Sequence, residues 1–245
     1  MELHGQTVVV GGATGVVGSG AVRAFLDAAA TVVGVSRSAQ RLEELQAVLP
    51  AGADFRGVVG DPVDDDAVLR LRADVEAALG GAPVDHAVSA LGFVTMADAP
   101  SVTPLGVARQ AMQDGLYPNV GFAQALLPLQ TGGTSPSFTL VSGGFAHGVP
   151  LEAPQLWLGT VKNAAVSALT SGLAAEQGPD GVHVTTACVH VGVAPAGGSN
   201  NQLGFPAARD TLALGPIFPA LATHPRHGQV VCLTDWDTID QLAAG

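Results

Sequence analysis

Short β-branched runs alternating with alanine-rich stretches of helical length constrain this chain more than any other feature. TVVVG (7–11) and TVVGV (31–35) are apolar at successive positions, so strands made from them must be covered on both faces. The pattern predicts strands at Thr7–Val10, Thr31–Val35, Asp54–Val59, Val84–Ser89, Ser137–Val141, Val182–Val189 and Gln229–Leu233. Helices are predicted near 16–29, 39–48, 64–79, 103–130, 155–177 and 207–223. Strands joined by helices of this length pair in parallel through right-handed crossovers. The expected fold is α/β: a single doubly wound Rossmann domain over 1–245, with a mostly parallel seven-stranded sheet and helices on both faces. No linker or repeat interrupts it. The least regular stretch, VAPAGGSNNQLGFP (193–206), follows the sixth strand. A loop there would lie over the carboxyl ends of the strands, where open α/β sheets bind ligands. Residues from about 190 to 210, with Asn200, Asn201, Gln202 and Phe205, are therefore the expected substrate loop.

Charge and composition narrow the partners. A net charge of −11 opposes nucleic acid, whose phosphates need a basic surface. No apolar run reaches the ~18 residues of a membrane span. The start, MELHGQTVVVGG, lacks a charged-then-apolar leader pattern. A cytoplasmic protein acting on a small molecule, away from membranes, is expected. Cys188 and Cys232 sit in the apolar runs TTACVHV and QVVCLT and read as buried free thiols. The seven histidines show no HExxH or paired ligand spacing, so no metal is expected.

VVVGGATGVVGSG (8–20) runs from the first strand into the first helix and spaces Gly12, Gly15 and Gly18 as GxxGxxG. Glycines there allow a tight turn and let backbone N–H groups approach a pyrophosphate at a helix N-terminus. Thr14 and Val17 belong to the same loop. Where an NAD-binding chain carries a carboxylate after its second strand, this one has Ser36 and Arg37. An arginine there can pair with a 2′-phosphate, which favours NADP(H) over NAD(H). In Gly60-Asp61-Pro62, Asp61 is placed to accept from the adenine amine, to cap a helix beginning near Val63, or both.

These motifs resemble the short-chain dehydrogenase/reductase family, and the resemblance runs through nearly the whole chain. GGATGVVG is similar to the family's TGATGxxG loop, with Gly11 in place of threonine, and VSRSAQRLEEL to its NADP-preferring second strand and helix. SALG, with Ser89, Ala90 and Gly92, stands where the family has NNAG beside the adenine ribose. Asn119 in DGLYPNVGFAQALLP matches the asparagine of the proton relay, and Ser142 in LVSGG matches the catalytic serine. WLGTVKNAAVSALTSGLAAE resembles the YxxxK helix, with Lys162, the single lysine beside nine arginines, in the lysine position. The resemblance implies that Lys162 holds the nicotinamide ribose and Ser142 orients a substrate carbonyl. It also implies a homodimer or homotetramer packed through the helices at 103–130 and 155–177, using faces such as Val120, Ala123, Leu126 and Leu127.

The departure from the family is Leu158, which stands where its proton-donating tyrosine belongs. The sole tyrosine, Tyr117, lies two residues before Asn119. The family's Pro-Gly after the sixth strand is replaced by Val189-His190, or by Val191-Gly192 with a short insertion. Three readings follow. The chain is an NADP(H)-dependent oxidoreductase acting on a carbonyl or alcohol of a small apolar compound, with His147, His190 or a lysine-bound water as the acid. Alternatively it binds NADP(H) without turnover, as a sensor or partner subunit. In the third reading it catalyses a non-redox cyclisation or isomerisation by positioning its substrate.

Overall fold

The β-branched runs form strands. In the computed structural model, which describes residues 2–93, 95–131, 135–144, 154–198 and 208–244, the first half of the chain alternates strictly. It runs β1 (Thr7–Gly11), α1 (Val16–Asp27), β2 (Thr31–Ser36), α2 (Ala39–Val48), β3 (Phe55–Val59), α3 (Asp65–Leu79) and β4 (His86–Ser89). Then come α4 (Leu105–Gly115), α5 (Tyr117–Leu126), β5 (Ser137–Gly143), α6 (Trp157–Gln177) and β6 (His183–Val189). The last part holds β7 (Val193–Ala194), β8 (Arg209–Asp210), α7 (Thr211–Leu214), α8 (Ile217–Thr223), β9 (Gln229–Leu233) and α9 (Trp236–Ala244).

Seven strands form one sheet in the order β3-β2-β1-β4-β5-β6-β9, and every pairing in it is parallel. This is a Rossmann-like α/β fold. The strand order reverses beside β1, which opens a crevice at the carboxyl ends of β1 and β4. Alternate residues of each strand feed opposite cores. Val8, Val10 and Val32 pack with Val22 and Phe25 of α1 and with Ile217 and Phe218 of α8. Val9, Val33 and Val35 pack with Leu71 and Val75 of α3, Phe122 and Leu126 of α5, and Val166 of α6.

Four expectations need correction. The helix predicted over 103–130 breaks into α4 and α5 at Leu116. The segment near 207–223 is likewise two short helices, parted at Gly215-Pro216, because proline cannot continue the ladder of the helix before it. Val193–Ala194, expected in an irregular loop, pairs in parallel with Arg209–Asp210 and ties the base of that loop together. Helix α9 was not predicted; Asp235 Oδ1 caps its start by accepting from Thr238 N at 2.7 Å, while Trp236 and Ile239 are buried one turn apart. Asn200, Asn201, Gln202 and Phe205 lie outside the described residues.

His86, on β4, clamps the other end of the sheet. It is 5% exposed. With the proton on Nε2, it donates to Gln6 Oε1 at 2.8 Å, and Nδ1 accepts from Ser137 Oγ at 2.9 Å. Burial pushes its pKa below the ordinary value of 6.5, opposed by the nearby Asp85 charge. The sign follows from proton counting. The unfolded chain binds the proton first, so this stabilisation is complete above pH 6.5 and is lost as the pH falls toward the folded value. Urea unfolding followed from neutral pH to about 5 should show this loss in the wild type and a shallower fall in His86→Gln.

Candidate functional site

At the crevice, two close approaches explain the glycine spacing. Gly12 has φ +71°, and a Cβ there would meet Ala90 O at 2.4 Å. A Cβ on Gly18 would meet Gly12 O at 2.1 Å. Gly15 N donates back to Gly12 O at 2.8 Å and closes the turn. Gly15 also caps α1 without a side-chain hydrogen bond, and the first turn has no carboxylate. The amides at that helix start are therefore directed at an anion. The uncapped, carboxylate-free helix start suits the charge of a pyrophosphate. Val17 packs partly against the core, whereas Val16 is exposed.

The second strand delivers the cations. Thr14 Oγ1 and Ser36 Oγ share a hydrogen bond at 2.8 Å. Arg37 is 68% exposed and lies 4.0 Å from Asp61, itself 40% exposed. This open ion pair is too weakly held to occupy the guanidinium. Arg41, absent from the sequence reading, donates from Nη2 to Thr14 O at 2.6 Å and so leans over the glycine loop. Its position in the first turn of α2, four residues after Arg37, was the available signal. Asp61 does not cap α3: Asp64 does, accepting from Ala67 N at 2.8 Å. Pro62 packs under α5, where a Cβ on Gly121 would meet Pro62 O at 2.0 Å.

Past β4, the other expected residues converge on Asn119. Ser89, fully buried, donates its hydroxyl to Asn119 Oδ1 at 2.7 Å. Asn119 Nδ2 donates to Leu91 O at 3.1 Å and to Gly115 O at 2.7 Å. Ser89 therefore faces Asn119. Helix α4 ends there because Pro118 cannot continue its ladder, and the Asn119 side chain satisfies the Gly115 carbonyl. Gly115 in turn forms the slot for Lys162: a Cβ would lie 1.8 Å from Lys162 Cδ.

Lys162 is 3% exposed. Its Nζ donates to Phe93 O and sits 5.2 Å from the Phe93 ring centroid. Burial lowers its pKa, and the Asp114 charge opposes that shift. The segment after β4 reaches the start of α6 through Ala97 N, which donates to Gln155 O at 2.9 Å, and through Trp157 Nε1, which donates to Asp98 O at 2.9 Å. Leu158 is 1% exposed, a packed core side chain.

Ser142 is 3% exposed and accepts from Ser167 Oγ at 3.0 Å. It shares a register row with Cys188 on β6. Desolvation pushes the Cys188 thiol up to about 11, with the Ser142 hydroxyl acting in the opposite sense. His190 Nε2 lies 3.4 Å from Cys188 Sγ. His147 lies outside the described residues. Cys232, expected to be buried, is exposed, because β9 is the edge strand of the sheet.

The helix faces expected to join subunits also need correction. Ala123 and Leu126 are buried in the core of this chain. The outward apolar residues of α4, α5 and α6 are Leu105, Val107, Tyr117 and Val161.

Filling the lysine slot tests the packing of Lys162 on Gly115. Gly115→Ala should cost about 1–3 kcal/mol by overpacking, read as a lower urea midpoint. In the Lys162→Ala background the same change should cost much less, giving a clear coupling term in the double-mutant cycle.

No protein-family model matches the sequence, and no curated protein matches it. Solved structures do match. A short-chain dehydrogenase/reductase family protein is 24% identical, with 95% of this chain and 97% of that one covered at a TM-score of 0.76. An NAD+-bound xylitol dehydrogenase is 14% identical, covering 95% and 99% at 0.81. A short-chain dehydrogenase from Burkholderia cenocepacia J2315, in complex with NADP, is 17% identical, covering 97% and 100% at 0.78. Across nearly its whole length, this chain has the fold of the short-chain dehydrogenases/reductases.

Proposed function

We propose that the chain is an NADP(H)-dependent oxidoreductase, of the kind its structural neighbours are named for, acting on a carbonyl or alcohol of a small apolar compound with an altered proton donor. The observation that carries this is the glycine cradle at an uncapped, carboxylate-free helix start, flanked by Arg37 and Arg41. Gly12, Gly15 and Gly18 would admit the pyrophosphate, and Arg37 with Arg41 would meet a 2′-phosphate. Asp61 would accept from the adenine amine. Lys162 would exchange the Phe93 carbonyl for ribose hydroxyls. The nicotinamide would supply or accept the hydride. In this reading the domain is single, spans 1–245, and works in the cytoplasm as a homodimer or homotetramer. Among the described residues no helix is long and apolar enough to cross a membrane.

A second reading has its own support. Leu158 and Ser142 are both buried, Ser142 is engaged by Ser167, and Lys162 is engaged by Phe93. A chain so arranged suits binding of NADP(H) without turnover, or a non-redox step on a bound compound.

Fluorescence titration with NADPH and NADH separates cofactor binding from its absence. Arg37→Ala and Arg41→Ala should each weaken NADPH roughly three- to tenfold, as expected for one exposed charge-assisted contact, and leave NADH nearly unchanged. Lys162→Ala should weaken both. Equal losses for the two cofactors in the arginine variants would remove the NADP(H) preference. No binding of either by the wild type would remove the oxidoreductase reading. With binding established, steady turnover of candidate ketones marks an enzyme, and binding without turnover marks a sensor.

A further inference from the structure

We propose that Cys188, His190 and Cys232 form a three-ligand site for a thiophilic metal ion, Zn2+ being the ion that the donor set fits best. Their ligand atoms all lie within 4.8 Å of one another. Two thiolates and an imidazole select zinc or copper(I) over the hard cations that prefer oxygen. Three protein ligands also leave a tetrahedral ion one position for water or for an oxygen of a bound compound.

The sheet places these donors with little freedom. Cys188 on β6 and Cys232 on β9 are direct register partners in a parallel pair, so both side chains leave the same face of the sheet. His190 follows β6 at once, and its N–H donates to Leu233 O at 3.0 Å. The imidazole is backed by Gly144, where a Cβ would fall 2.3 Å from the ring Cγ. Its Nε2 already stands 3.4 Å from Cys188 Sγ. In a tetrahedral zinc site, ligand atoms are about 3.5–3.8 Å apart, from bond lengths near 2.0–2.3 Å. Closing from 4.8 Å asks for a movement of about 1 Å, which falls most easily on the exposed Cys232. Each thiol releases one proton on binding. The Cys188 thiol then gives up its 3.6 Å contact to Gly143 O.

The competing use of the pair is a Cys188–Cys232 disulfide, which register partners on neighbouring strands are close enough to form. The two uses separate on reduction. The experiment takes the full chain, reduced and stripped of metal with chelator, and titrates it with Co2+ as a spectroscopic probe. The expected result is one equivalent bound, with a sulfur-to-cobalt charge-transfer band and visible bands of tetrahedral intensity, both displaced by Zn2+. Cys232→Ser should lose about half of the charge-transfer intensity at saturation, since one of the two thiolates remains. Its affinity should drop by more than the roughly 10–100-fold that loss of an outer-shell partner costs. Gly144→Ala keeps both thiols and crowds only the ring, so it should weaken Co2+ and lower the tetrahedral intensity while the sulfur band persists. Circular dichroism confirms that each variant is folded. A reduced wild type without a sulfur-to-cobalt band overturns the site, as does an unchanged band in Cys232→Ser. The titration needs no nicotinamide cofactor, so its failure is distinct from failure of the NADP(H) reading.

Discussion

The Asn119 amide holds the crevice together. Three separate segments end at it: Ser89 at the tip of β4, Leu91 in the segment that follows, and Gly115 at the end of α4. All these bonds lie in or beside the core, where a lost partner leaves an unsatisfied group costing about 1–3 kcal/mol. The end of α4 beside the lysine slot and the path of the chain after β4 are therefore tied to one side chain. Pro118, which has no N–H for the carbonyl of Asp114, breaks the helix here, and the Asn119 amide satisfies the Gly115 carbonyl beside that break. The slot that receives the Lys162 stem exists because Gly115 has no side chain.

This also explains which parts were legible in the sequence. Strand runs and the glycine loop are local: TVVVG, TVVGV and the GxxGxxG spacing carry their own reasons, and the structure puts them where the pattern did. The break in 103–130 was legible too, because Pro118 in the first turn of α5 has no N–H to continue the α4 ladder; only the reach of the Asn119 amide to Leu91 and β4 is not local. The inward placing of Ala123 and Leu126 follows from which side of α5 meets the sheet, which an apolar stripe alone leaves open. Helix α9 is a different kind of miss. Asp235 and Thr238 offered a cap, but nine residues with two buried anchors give too few repeats for a period to stand out. Cys188 and Cys232 are far apart in sequence and are joined only by the β6–β9 register, which linear spacing rules for metal ligands do not see.

Leu158 and Lys162 lie one turn apart on the inward face of α6. A phenol at position 158 would need a partner for its hydroxyl in a place that is 1% exposed, whereas leucine needs none. The cost moves to the lysine. Its charge is met by one carbonyl, a ring face and the more distant Asp114, and desolvation already favours the neutral amine. A ligand bearing hydroxyl groups would give the ammonium more acceptors than Phe93 O supplies. In the NADP(H) reading proposed above, this is the lysine's reason to prefer a polyhydroxylated or anionic group.

His190, beside Cys188 and Gly144, can serve one of two chemistries. As a general acid it must carry a proton on a nitrogen that reaches the substrate oxygen. As a metal ligand it offers a lone pair from Nε2, the same atom that faces Cys188 Sγ at 3.4 Å. One nitrogen cannot do both at once. If the ion is held, proton delivery falls to water on the ion or to another group, and the absent phenol is replaced, if at all, by polarisation through the metal's fourth position. If the ion is not held, burial keeps the Cys188 thiol protonated beside the imidazole. The choice rests on whether Cys232, exposed on the edge strand, closes toward its partners. The state of that thiol therefore controls what the imidazole can do.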